Sequence, residues 1–191
     1  MKITFGCLVI TAGICGVLSF AFLATSLGTD YWYIIETNPM NASDSEDMGS
    51  HSGLWRIYEG TELCLFYCRD DMHVAIVVLL PLSLVLLLFG GICGLVSSLA
   101  RSTVLLTGTA SYFFICLFTL CGASLYIVYS HQALAETERL VGQEGLAYIR
   151  TSFGWSLGLA WLSYGLELLT GVLLLIAAEK VKLRHSSPTM A

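Results

Sequence analysis

The chain has 191 residues and a formal net charge of −5, with 56% hydrophobic and only 12% charged residues, against roughly 25% charged in a soluble domain. That length allows about one domain. It leaves too little polar sequence to surround four long apolar segments, which excludes an ordinary water-soluble fold.

Four runs reach the roughly 20 apolar residues that a helix needs to cross a hydrocarbon core about 30 Å thick. Inside a bilayer the backbone must satisfy its own hydrogen bonds, so each run reads as a helix. The first covers residues 3–27. Lys2 and Ala24-Thr25-Ser26 give it the outline of a signal peptide. An apolar signal core holds only about 7–15 residues, so this longer run reads as a retained helix. It carries Cys7 and Cys15. Cysteines inside membrane helices most often act as small packing residues, and Cys7, near a membrane face, is also a candidate for palmitoylation.

The loop 28–73 changes character along its length. Residues 38–52 are rich in Ser, Asn, Asp and Glu and read as flexible. Tyr31-Trp32-Tyr33-Ile34-Ile35 and Leu54-Trp55-Arg56-Ile57-Tyr58 are aromatic and β-branched. They read as short antiparallel strands, with 63–67 a candidate third. Trp32 also suits an interface anchor at the end of helix one. Asn41-Ala42-Ser43 is an N-glycosylation sequon. Cys64 and Cys68 are the two loop thiols; in an oxidising compartment they are expected to form a disulfide that closes a tight turn.

The second run, 74–99, contains Pro81, expected to kink it, and a stripe of small residues, Ser83, Gly90, Gly94 and Ser97. A very short turn with Arg101 leads to the third run, 103–129, and a second loop, 130–153, to the fourth, 154–178. Gly90-x-x-x-Gly94 and Gly154-x-x-x-Gly158 both fit close helix crossing. Glu167 lies about 20 Å along helix four, near mid-membrane, where an acid is costly and faces the bundle interior. Ser156, Ala160, Ser163, Thr170 and Gly171 share its stripe at three- and four-residue steps. Two readings stay open for Glu167: a hydrogen bond to a neighbouring helix, or part of an ion or proton path. On the first, glutamine is expected to be tolerated, whereas leucine deprives a partner of its bond.

These elements define an all-α membrane protein: a four-helix transmembrane bundle with a small extracellular β-sheet in the first outer loop, forming one four-pass domain over residues 1–191. Four passes put both termini on one side. The cluster Lys180, Lys182 and Arg184 directly follows helix four, and positive charge so placed favours the cytoplasm. The sequon at Asn41 agrees. Loops 28–73 and 130–153 are therefore expected to be extracellular and the tail 179–191 cytoplasmic, in the plasma membrane. The histidines are scattered, no Cys/His spacing fits zinc, and no Gly-rich phosphate loop follows a strand. An enzyme, a cofactor and a metal are not expected.

The chain resembles the superfamily of claudins, peripheral myelin proteins and calcium-channel gamma subunits. The resemblance rests on Trp32, Gly53-Leu54-Trp55 and a loop cysteine, Cys68. Gly28-Thr29-Asp30-Tyr31-Trp32, His51-Ser52-Gly53-Leu54-Trp55-Arg56 and Gly154-Trp155-Ser156 with Glu167 downstream are most similar to the gamma-subunit branch, which includes the AMPA-receptor regulatory proteins, and to the claudin-like transmembrane proteins 114 and 235. The family's first loop cysteine falls at Tyr58 here, so Cys64 stands in as partner. Helix two also begins soon after Cys68, which implies a shortened outer sheet. The resemblance implies membrane lipid and a larger channel or receptor as partners for an auxiliary subunit. The alternative is contact with claudin-like proteins at a cell junction. Many claudins end in a tail that docks into a hydrophobic pocket; Thr189-Met190-Ala191 fits one poorly. Nucleic acid is not expected as a partner.

Overall fold

The computed structural model describes residues 5–37, 49–55, 72–100, 104–141 and 149–185. Four helices dominate: α1 (Phe5–Gly28), α2 (Met72–Ala100), α3 (Val104–Val141) and α4 (Trp155–His185). Three short strands accompany them: β1 (Tyr33–Thr37), β2 (Gly49–Ser52) and β3 (Ile149–Phe153). The helices close a ring in which α1 packs on α4, α4 on α3, α3 on α2, and α2 more lightly on α1.

All four helices contain a segment long and apolar enough to cross a membrane. Their burial pattern is not that of a water-soluble bundle. Ile14, Phe89, Phe114 and Leu162 are exposed, while Ser19, Ser26, Thr119, Ser156, Ser163 and Glu167 are buried. Apolar surface of that extent is not left bare in water. In lipid, where apolar side chains gain nothing by turning inward, small and polar residues mediate the contacts between helices.

Two helices outrun their apolar segments. α3 continues to Val141, so the expected loop 130–153 begins as helix. Its residues Ala133-Leu134-Ala135-Glu136 are good helix formers and carry the element beyond its membrane-length stretch, Ser111–Gln132. α4 likewise continues to His185, into the expected tail. Lys180 and Lys182 near its end oppose the helix dipole favourably. α2 runs unbroken through Pro81.

The sheet differs from the expected one in its strands. β1 is central, with antiparallel neighbours β2 and β3, and Tyr33 lies opposite both Ser52 and Phe153. The third strand therefore comes from the second loop. The second strand is Gly49–Ser52, at the edge of the stretch that composition marks as flexible, while Leu54 and Trp55 form a bend. Backbone pairing to β1 outweighs the poor strand propensity of Gly and Ser, and Leu54 and Trp55 have other uses. Residues 63–67 lie outside the described residues.

Candidate functional site

Trp32 and Gly53-Leu54-Trp55 gather where α1 ends, and they close that end. A helix leaves its last four carbonyls without intrahelical partners. At the end of α1, side chains take them up. Thr29 Oγ1 donates to the Thr25 carbonyl at 2.9 Å and to that of Ser26 at 3.2 Å. The Trp32 ring N–H donates to the Ser26 carbonyl at 2.9 Å, and the Trp55 ring N–H to the Leu27 carbonyl at 2.8 Å. Trp32 is fully buried, 4.8 Å centroid to centroid from Tyr126, so it is not an interface anchor of helix one. Leu54 plugs the sheet end of the bundle beside Leu23, Leu27, Ile76 and Leu80. Gly53 is needed because a Cβ there would collide with Asp30.

The same end of α1 is joined to the start of α4. Gly154 N–H donates to the Trp32 carbonyl at 3.0 Å and Ser156 N–H to the Tyr31 carbonyl at 3.3 Å. These bonds satisfy backbone donors that a helix start leaves open. Gly154 precedes α4 and a Cβ there would strike the Tyr31 carbonyl. The Gly154–Gly158 pair is therefore not a helical crossing ridge: its first glycine serves a turn, and its second, Gly158, is exposed with open space around it. Gly90 and Gly94 are likewise separated. A Cβ at Gly90 would meet Ile115 at 2.9 Å, whereas one at Gly94 would meet nothing within 4 Å.

A polar seam continues down α1 and α4. Ser26 Oγ donates to the Ser156 carbonyl at 2.7 Å, and Thr29 and Ser156 hydroxyls lie 2.8 Å apart. Ser19 and Ser163 exchange bonds, each hydroxyl donating to the other's carbonyl, at 3.1 and 2.8 Å. At its lower end lies Glu167, fully buried. Its Oε1 accepts from Thr119 Oγ1 of α3 at 3.1 Å and from Ser163 Oγ at 3.4 Å. Its Oε2 is buried without a hydrogen-bond partner. No second acid or base accompanies it in that set of bonds, and among the described residues no group of three His, Cys, Asp or Glu could hold a metal.

The α1 half of this seam is absent from the sequence reading. Its signal was present: Ala12, Ser19 and Ser26 recur every seven residues, the spacing that keeps small side chains on one helix face. Asn41, Cys64 and Cys68 lie outside the described residues. Cys7, Cys15, Cys93, Cys116 and Cys121 are free thiols, of which Cys15 and Cys116 are buried.

An apolar four-helix ring, capped at one end by a small sheet and by two tryptophans that close α1, defines a four-pass integral membrane protein of the claudin kind. The model of the PMP-22/EMP/MP20/claudin tight-junction family matches residues 58–176, more than half of the chain, and the chain belongs to that family. The matched segment begins after Trp32 and Gly53-Leu54-Trp55, so the family match and the motif at the end of α1 are separate observations that agree.

Proposed function

We propose that the protein is a non-enzymatic auxiliary subunit that associates laterally with a larger membrane protein, a channel or receptor. The observation that carries this reading is the outer face of α4. Gly158, Leu162, Gly165, Leu169 and Val172 follow one another at four- and three-residue steps, and all five are exposed. A Cβ at Gly158 or at Gly165 would meet nothing within the chain. Two glycines a heptad apart, flanked by leucines, form a shallow ridge that admits a second helix closely, and helix association in lipid depends on such packing. The similarity of the Trp32, Gly53-Leu54-Trp55 and Gly154-Trp155-Ser156 segments to the gamma-subunit branch supports the same role. On this reading the sheet end is extracellular, Asn41 is glycosylated, Cys64 and Cys68 are bridged, and both termini are cytoplasmic at the plasma membrane.

The test is affinity purification in mild detergent with mass spectrometry of bound proteins, comparing wild type with Gly158→Leu and Gly165→Leu. Loss of the partner at unchanged surface expression is the expected result. Unchanged recovery from both variants would remove α4 as the docking face.

A junctional role is the second reading, favoured by the family's tight-junction description and by the exposed Trp55, Phe153 and Trp155 at the sheet end. It requires that non-adherent cells aggregate when they express the protein, and that it concentrates only at contacts where both cells carry it. Aggregation without any co-purifying channel or receptor would replace the auxiliary-subunit reading.

A further inference from the structure

The lightest contact in the helix ring, between α1 and α2, opens into an apolar groove of about 610 Å³. Gly13, Gly16 and Val17 on α1 and Leu88, Gly91 and Gly94 on α2 line its sides. Its floor is Tyr112 of α3, nearly fully buried, whose hydroxyl would lie 3.0 Å from a Cβ at Gly16 and 3.9 Å from one at Gly91. That volume falls within the range of sites that enclose a ligand.

The extent of the groove decides what fits it. On α1 the lining runs from Val9 to Phe20, roughly 17 Å of helix. This is close to half of a hydrocarbon core about 30 Å thick. One turn further towards the sheet the seam is shut, because Leu23 and Leu27 pack with Ile76 and Leu80 in a single buried cluster. A partner helix about 10–12 Å across would need an opening through both leaflets. A flexible hydrocarbon chain needs one. A sterol would bring its hydroxyl to the membrane surface, whereas the hydroxyl of Tyr112 lies part-way along the groove beside Gly16 and Gly91, seven residues or roughly 10 Å along α1 from the lining residue Val9. At the shallow end, α4 continues past the groove-lining Leu174 into Glu179, Lys180, Lys182 and Arg184. Three positive residues there outnumber one acid, and Lys182 is exposed. Juxtamembrane basic clusters attract anionic headgroups.

We propose that this groove holds one acyl chain of an anionic phospholipid from the leaflet remote from the sheet, with the headgroup near the basic end of α4. The groove lies between α1 and α2, away from the outer face of α4, so this inference stands independently of the proposed partner.

Gly13 and Gly94 supply the test, because both line the groove and a Cβ at either would meet no neighbouring atom within 4 Å, so a longer side chain has room to enter it. The purified wild type is expected to retain about one phospholipid per chain in native mass spectrometry, and added phosphatidylserine should raise the unfolding temperature of delipidated protein. Gly13→Leu and Gly94→Leu should each lower retention at least tenfold and abolish that rise, while Gly158→Leu leaves both unchanged. Lys182→Glu should keep a bound lipid but remove the preference for phosphatidylserine over phosphatidylcholine. A phosphatidylserine analogue with a photoreactive group in its chain should label wild-type peptides containing residues 9–20 and 87–95, which tests the site even where a variant folds poorly. Equal retention by both leucine variants would overturn the proposal, as would labelling confined to other helices, or a sterol or second protein copy displaced by the same substitutions. An unchanged preference in Lys182→Glu would overturn its anionic part.

Discussion

Glu167 offers the sharpest quantitative test, because its bonds across helices admit an outcome for leucine opposite to the one expected from its position in the sequence. A buried acid bonded across helices suggests that leucine would strand its donors. The geometry gives each donor a second acceptor: Ser163 Oγ also reaches the Ser19 carbonyl at 2.8 Å, and Thr119 Oγ1 the Ile115 carbonyl at 3.3 Å. Removing the carboxyl therefore sacrifices two bonds worth on average about 0.6 kcal/mol each in a membrane interior and orphans neither hydroxyl. Against that loss stands Oε2, buried with no partner, at a typical cost of about 1–3 kcal/mol. The balance favours leucine. Glu167→Leu is expected to unfold at the same or greater denaturant concentration as wild type, within a window of about +2 to 0 kcal/mol. Glu167→Gln retains the Oε1 bonds but leaves an amide where Oε2 was, and should fall within about 1 kcal/mol of wild type. Reversible unfolding in detergent micelles or lipid discs measures both. Destabilisation of the leucine variant by more than about 2 kcal/mol, with glutamine unchanged, would refute the reasoning. It would mean that Oε2 has a partner, such as a bound water, that stabilises the bundle.

The two tryptophans at the end of α1 should separate by burial. Trp32→Phe removes a buried ring N–H and leaves a void, a loss of about 2–3 kcal/mol in unfolding free energy, whereas Trp55→Phe frees the Leu27 carbonyl beside a half-exposed side chain and should cost only about 0.5–1 kcal/mol in the same assay. Equal losses would show that capping by Trp55 is not relieved by solvent. Gly122→Ala places a Cβ 2.7 Å from Leu80 Cδ2 and 2.8 Å from its Cγ, and such overpacking should lower stability by about 1–3 kcal/mol; no change in thermal unfolding would mean that α2 shifts freely on α3. Asn41→Gln should abolish a glycosidase-sensitive mobility shift, and a C-terminal tag should stain only permeabilised cells; staining of intact cells would reverse the orientation.

How much of this was legible follows from the physics of each element. The four helices were, because a stretch long enough to cross a bilayer leaves a compositional signal that tertiary context does not override. The inward stripe on α4 was also readable from Ser156 to Gly171, since small residues at helical spacing mark contact faces. The sheet was less so. Gly49-Ser50-His51-Ser52 has no strand propensity of its own and becomes a strand only by pairing with β1, and β3 lies far away in sequence. Gly154 misled for a related reason: its spacing from Gly158 matches a helical ridge, but the helix starts one residue later. The groove between α1 and α2 has no linear signature, because it is defined by how lightly two helices touch.

The motif behind the resemblance and the surfaces available to a partner are physically distinct. At the end of α1 the ring N–H groups of Trp32 and Trp55 and the hydroxyl of Thr29 are occupied by the chain's own carbonyls, and Gly53 and Gly154 are required by Asp30 and Tyr31. Those residues close the end of α1 and, through Gly154, join it to the start of α4 whatever the protein binds, which explains how a signature can mark a family while leaving its activity open. The outward ridge of α4 and the groove beside α1 are built from Gly, Leu, Val and Ile, which sequence alone cannot distinguish from generic lipid-facing positions. They have a different physical property: glycines with open space where a side chain would project, at Gly158 and Gly165 on one surface and at Gly13 and Gly94 on the other. Internal packing does not require a glycine at those four positions, so substitutions there can change what the protein contacts while leaving its fold intact.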